Sequence, residues 1–262
     1  MRLNIMIMAM FALVLVSCEK ELDFSYRDID PIPVIEGVLT EDGCRVTITL
    51  TTPMDEPMDQ KHVTDAVVML KDLSAEIETL LTPDGEGCFV CEAGGIPGRK
   101  YLLSVEYDGN AYESETEMLP SVEVTAVEFE WVKMPYDYVA VLQVSFRDDP
   151  FEADERYWVR VYRNGEPYKW LTASDGGITD GVLDVAMLTS RKDLDEEDEE
   201  DALHDGDIVT VSVSAIDKDM CGYLDALMAG GSNGLPQFSG GECLGYFQAS
   251  TPGEMSVVFE AE

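Results

Sequence analysis

Hydrophobic and polar positions alternate with a period of two over most of this chain. From Arg45 to Leu50, Val46, Ile48 and Leu50 share one face, and Arg45, Thr47 and Thr49 share the other. That is the pattern of a half-buried strand. Ala66 to Leu70 is more evenly apolar and reads as an interior strand. Lys100 to Tyr107 alternates again and sets Tyr101, Leu103, Val105 and Tyr107 together. Asp108-Gly109 follows as a two-residue hairpin turn. The returning strand, Asn110 to Met118, carries Glu113, Glu115 and Glu117 on its solvent face. About seven short strands without a helical period predict a small β-sandwich over 31–120.

Pro120 punctuates the pattern, and a second strand set begins near Val122. Val122 to Val132, Val139 to Arg147 and Arg156 to Arg163 are strand-like, and Asn164-Gly165 predicts a tight hairpin returning through Tyr168 and Trp170. Asp207 to Ala215 alternates Val209, Val211 and Val213 against Thr210, Ser212 and Ser214. The period then changes. Met220, Tyr223, Leu224, Leu227 and Met228 follow helical spacing, with Asp217 as N-cap, Asp219 in the first turn and Gly230-Gly231 as the stop. After a Gly-rich loop, Gly245 to Ser250 and Ser256 to Phe259 read as further strand. The expected fold is all-β: two β-sandwich domains, 31–120 and 121–262, with one short helix near the C-terminus.

The first 30 residues break this pattern. Arg2 precedes an apolar run from Ile5 to Val16, which closes on Ser17-Cys18. The run falls short of the roughly 20 apolar residues of a spanning helix. It reads as the hydrophobic region of a signal peptide over 1–17. A Cys after a small residue at that point is the mark of a bacterial lipoprotein processing site. Cys18 is therefore the expected lipid attachment point, and residues 18–30 form an acidic tether. The expected partner there is the membrane, reached through the N-terminal lipid. Lipoprotein cysteines carry more than one acyl chain, which suits stable anchoring.

Composition narrows the function classes. Of 262 residues, 53 are acidic and 17 basic, for a formal net charge of −36. Phosphate backbones demand Lys and Arg, so nucleic acid is not an expected partner. Docking on an anionic membrane surface is disfavoured equally. The chain is still 45% hydrophobic, enough for packed cores. Beyond Cys18 it has Cys44, Cys88, Cys91, Cys221 and Cys243, an odd number. Cys88 and Cys91 form a C-x-x-C, but residues three apart on a strand point to opposite faces, which argues against one zinc site. Cys221 and Cys243 are the candidate disulfide, tying the helix to the segment after it.

Few patterns carry chemistry. Asp193 to Asp201 is a dense acidic block without the ligand spacing of a calcium loop, and reads as a solvated segment. His62 and His204 lie in unrelated polar contexts, and no nucleophile elbow, H-E-x-x-H or phosphate loop occurs. No catalytic residue, metal or cofactor is expected. The aromatics Trp131, Tyr136, Tyr138, Trp158, Tyr162, Tyr168 and Trp170 gather in the first half of the second domain. Trp158, Tyr162 and Trp170 are a candidate stacking surface for a sugar or peptide. A covered sandwich face or a domain joint explains the same pattern, and is the favoured reading.

In order, several stretches resemble one family. They are Cys18-Glu19-Lys20-Glu21-Leu22-Asp23, Val34-Ile35-Glu36-Gly37, and Gly98 to Tyr101 with Asp108-Gly109 and Glu115-Thr116-Glu117-Met118-Leu119-Pro120. Gly206-Asp207, Ile216-Asp217, Tyr223-Leu224 and Gly240-Gly241-Glu242-Cys243-Leu244-Gly245-Tyr246-Phe247 complete the set. Together they resemble the outer-membrane lipoproteins of Bacteroidota grouped as domain of unknown function 4249. The resemblance implies a transthyretin or carboxypeptidase-regulatory-like first sandwich and a fibronectin type III-like second one. It implies residence at the outer membrane, at the cell surface, beside a TonB-dependent transporter, and no enzymatic activity. The expected function is accessory or ligand-binding partner of such a transporter. The alternative is a structural or adhesive surface lipoprotein with no transport role.

Overall fold

The computed structural model describes residues 30–52, 61–135, 138–148, 154–176, 181–191, 202–230 and 236–261. Pro31–Glu262 is one compact unit. Cys18, Tyr136 and the acidic block Asp193 to Asp201 lie outside the described residues.

The strands are β1 (Pro33–Thr40), β2 (Gly43–Leu50), β3 (Lys61–His62), β4 (Val67–Asp72), β5 (Ile77–Leu80), β6 (Thr82–Gly85), β7 (Cys88–Cys91), β8 (Lys100–Tyr107), β9 (Asn110–Glu117), β10 (Val124–Lys133), β11 (Tyr138–Arg147), β12 (Arg156–Arg163), β13 (Glu166–Ser174), β14 (Val182–Arg191), β15 (Ile208–Ile216), β16 (Leu244–Ala249) and β17 (Gly253–Val258). One helix, α1 (Lys218–Met228), lies between β15 and β16. The fold is mostly β with one helix near the C-terminus, as the alternation predicts.

Four sheets form. The first runs β16-β1-β2-β7-β6, with β3 paired to β2, and the second runs β5-β4-β8-β9. Their facing sides share one core, which includes Ile35, Leu39, Val46, Ile48, Val68, Leu70, Leu103 and Val105. The third runs β10-β11-β14 and the fourth β13-β12-β15-β17. Leu142, Val144, Phe146, Val159, Val161, Val211, Val213 and Phe259 fill the core between them. The period-2 reading of β2, β8 and β15 puts the correct residues inside. Both dipeptide turns form as expected. Asp108 and Gly109 have φ of 47° and 76°, and Asn164 and Gly165 have 51° and 90°. Two consecutive positive φ values match the twist of the flanking strands.

The helix begins where its capping residue predicts. Asp217 accepts a hydrogen bond from the Met220 backbone N–H at 2.7 Å. Ala229 is the C-cap, and Gly230 follows with φ of 69°. One apolar stripe, Met220, Cys221 and Leu224, buries against Trp158 and Ile216 on the far side of the fourth sheet.

One strand departs from the expected layout. The sequence assigns the segment after the Gly-rich loop to the second sandwich. Instead β16 pairs in parallel with β1, from Val34 opposite Leu244 to Leu39 opposite Ala249. Phe247 and Ala249 enter the first core. The reason is burial on both sides: Phe247, Gln248 and Ala249 are all nearly inaccessible, so β16 needs a layer on each face, and the joint between the sandwiches supplies it.

Candidate functional site

A cleft of about 350 Å³ opens at one end of the first sandwich. Its size is within the range that holds a small ligand or a single protruding side chain. Four pieces of chain build it. Pro31, Ile32 and Pro33 enter β1, Leu50 ends β2, and Tyr107, Asp108, Asn110 and Tyr112 form the β8–β9 hairpin. The fourth piece contributes Glu242.

Each piece is held by ordinary backbone bonding. Ile32 and Thr51 extend the β1–β2 ladder: the Ile32 N–H donates to Thr51 Oγ1 at 3.0 Å, and the Thr51 N–H to the Ile32 carbonyl at 3.0 Å. The hairpin projects because its two-residue turn lets β8 and β9 run to the tip. Glu242 arrives through Ser239-Gly240-Gly241. Ser239 exchanges backbone hydrogen bonds with Glu113, at 2.8 and 3.1 Å. Gly240 has φ of 96°, and a Cβ there would stand 2.0 Å from the Ala111 carbonyl oxygen. A Cβ on Gly241 would stand 2.6 Å from the Tyr112 ring. Only glycine at both positions lets this loop lie against β9 and cover Tyr112.

The lining is an aromatic and proline wall with an acidic rim. Burial is the main cause that lifts the Tyr112 phenol above its usual range, with Cys243 adding to it and the Asn110 amide opposing it. Tyr112 is therefore neutral at physiological pH and acts as an apolar face with a polar tip. Asp108 and Glu242 are exposed at the rim. Such a site favours a cationic or hydroxyl-rich group over an anion. Among the described residues, no group of three or more His, Cys, Asp and Glu side chains could hold a metal ion.

The sequence reading missed this cleft. Its parts are 31–33, 50, 107–112 and 242, far apart in the chain. The signal was present as two turn motifs, Asp108-Gly109 and Gly240-Gly241, whose meeting no local pattern announces.

The candidate stacking residues Trp158, Tyr162 and Trp170 fall elsewhere and do not form an open platform. Trp158 points away from the second core, as alternation requires, yet it is only 8% exposed. The Arg160 guanidinium lies 4.5 Å over its ring, and Trp170 and Tyr246 pack against it edge-on at 6.3 and 5.6 Å. Tyr162 and Trp170 are half-buried. The aromatics seal a joint: β16 brings Tyr246 over the fourth sheet, and α1 adds Tyr223. Burial first, then the nearby Glu36 carboxylate, raises the Tyr246 phenol far above its usual range. Arg160 donates to Ser214 Oγ at 3.1 Å and Ser212 Oγ at 3.4 Å. Trp158 Nε1, Arg160 Nε and Gln248 Oε1 are buried there without a hydrogen-bond partner.

Cys221 and Cys243, the candidate disulfide, pack in different clusters, and both are thiols in the structure, as are Cys44, Cys88 and Cys91. Cys221 packs under α1, and its Sγ donates to Asp225 Oδ2 at 3.7 Å. Cys243 packs instead against the first core, whereas Cys221 belongs to the cluster between α1 and the fourth sheet. Cys88 and Cys91 do take opposite faces of β7. Cys91 packs on the core, and Cys88 meets the Arg45 guanidinium at 2.7 Å. His62 is exposed on β3, and His204 contacts Arg163 at the start of β15.

Comparison with protein-family models matches residues 19–254 to one described as Domain of unknown function (DUF4249). A search of the curated proteins found no match.

Proposed function

The chain belongs to the DUF4249 family, and from that premise we propose that it is a non-enzymatic, lipid-anchored outer-membrane protein that assists a TonB-dependent transporter. Cys18 carries the lipid and the protein stands at the cell surface. The observation that carries this reading is the cleft at the entry of the folded body, because Pro31, its first residue, is part of the wall. A tether from Cys18 to Asp30 reaches at most about 45 Å when fully extended. The cleft is thus kept close to the membrane, where a transporter's loops and cargo are found. Tethering raises the local concentration of both partners, so a small contact suffices. The rim carboxylates Asp108 and Glu242 and the net charge of −36 fit a basic loop or cationic cargo group, steered in electrostatically.

Mild crosslinking of outer membranes, followed by affinity purification and mass spectrometry, tests this. One TonB-dependent transporter is expected in near-stoichiometric yield, and the doubly reversed Asp108→Lys, Glu242→Lys protein is expected to lose most of it. Recovery of no transporter by anchored bait, with a Cys18→Ala control to establish anchoring, overturns the proposal in favour of a structural or adhesive surface role. Full recovery by the doubly reversed protein removes the cleft from it.

A further inference from the structure

Cys44 and Cys91 are directly opposite each other in the antiparallel ladder of β2 and β7. The Ile48 N–H donates to the Gly87 carbonyl at 2.9 Å, four residues along the same ladder. Pairs alternate between hydrogen-bonded and non-hydrogen-bonded, so Cys44 and Cys91 form a hydrogen-bonded pair with Cα atoms about 5.5 Å apart. That lies within the roughly 4.4–6.8 Å that a disulfide spans. Directly opposed residues also share a face. Cys44 is buried in the first core and Cys91 packs against that core from the rim. Cys88, three residues from Cys91, is on the other face with Arg45.

We propose that Cys44 and Cys91, both thiols in the structure, form the native disulfide of this protein, locking β2 to β7 within the first sheet. The site is independent of the cleft and of the transporter role, and rests only on the export that the proposed function includes. Burial, with Cys91 as a nearby second cause, pushes the Cys44 thiol up to about 12, so Cys44 is the poorer attacking group. The more accessible Cys91 reacts first. Its thiolate attacks a small-molecule or enzyme disulfide, forming a mixed disulfide and releasing one thiolate. The Cys44 thiolate then attacks the Cys91 sulfur and releases the second. Two electrons pass to the oxidant, and the two thiol protons go to solvent. An exported chain meets such oxidants outside the cytoplasm. Cys88, Cys221 and Cys243 remain as thiols.

The full mature chain, refolded in a glutathione redox buffer with excess oxidised glutathione and then alkylated under denaturing conditions, gives the test. Peptide mapping is expected to find Cys44 linked to Cys91, with Cys88, Cys221 and Cys243 alkylated. Dithiothreitol is expected to lower the thermal midpoint of the wild type and of Cys88→Ala, but not that of Cys91→Ala. Alkylation of both Cys44 and Cys91, or linkage of either one to Cys88, overturns the assignment. So does a thermal midpoint that dithiothreitol leaves unchanged.

Discussion

Asp207 sits just before β15, and its carboxylate accepts from three groups. Arg163 Nε and the His204 backbone N–H donate to its Oδ2, and Asn164 Nδ2 donates to its Oδ1, each at 2.7 Å. Asn164 also accepts from the Ile208 N–H at 2.9 Å, so one carboxylate ties the β12–β13 turn to the next strand. Burial would raise the Asp207 carboxyl, but the His204 N–H, the Asn164 amide and the Arg163 guanidinium together hold it below the usual carboxylate range. A depressed folded value means that the unfolded chain takes up protons first. The stabilisation is present above the unfolded Asp value, near pH 4, and fades as pH falls through the folded value. Asp207→Ala is expected to cost about 2–3 kcal/mol in urea denaturation near pH 7, since it removes charged hydrogen bonds and leaves polar donors without an acceptor. The gap between variant and wild type should close in acid, and a gap that is independent of pH would contradict this account. The turn Asn164-Gly165 was legible as a dipeptide. The role of Asp207 was not, because its partners come from a hairpin far earlier in the chain.

Strands and the helix were read from period and punctuation, and most formed where those signals placed them. β8 matches the alternation residue for residue, β12 spans its expected Arg156 to Arg163, and α1 starts at its predicted cap. β14 was missed, although Leu183, Val185 and Met187 alternate and pack on the second core. It lies between a Gly-rich segment and the acidic block, so no turn signal frames it. β16 is legible as strand, but it joins the first sandwich and not the second. Its parallel pairing with β1 depends on Gly245, whose φ is 107° and where a Cβ would stand 1.9 Å from the Ile35 carbonyl oxygen. Gly245→Ala is expected to cost about 3 kcal/mol or more, through strain and loss of close pairing. Gly109→Ala has a similar φ requirement but no atom within 4 Å of the added Cβ, and is expected to cost only about 1 kcal/mol. Equal thermal midpoints for the two variants would show that the β1–β16 contact adds little.

Across the whole molecule, β16 makes the two sandwiches interdependent. It supplies Phe247 and Ala249 to the first core, while its other face places Tyr246 against Trp158 in the joint. The cap of α1 adds a link, with Thr116 Oγ1 donating to Asp217 Oδ2 at 3.3 Å. A fragment of residues 31–120 therefore loses core residues and gains an open β1 edge. Losing a buried Phe alone costs about 3–5 kcal/mol, comparable with the stability of a small domain. The fragment is expected to lack near-UV circular dichroism and to show poorly dispersed amide NMR signals, and a linker that restores 236–250 is expected to recover both. A well-folded 31–120 fragment would make the first sandwich autonomous. The all-β class, the strand faces, the hairpin turns, the helix cap and the acidic character follow from neighbours a few residues apart, so they were present in the sequence. Which sheet receives β16, how Gly240-Gly241 brings Glu242 to the Tyr107–Tyr112 cleft, why Trp158 is covered, and that Cys44 opposes Cys91 all depend on segments that meet only after folding. Burial and register select among pairings that local pattern leaves equally good.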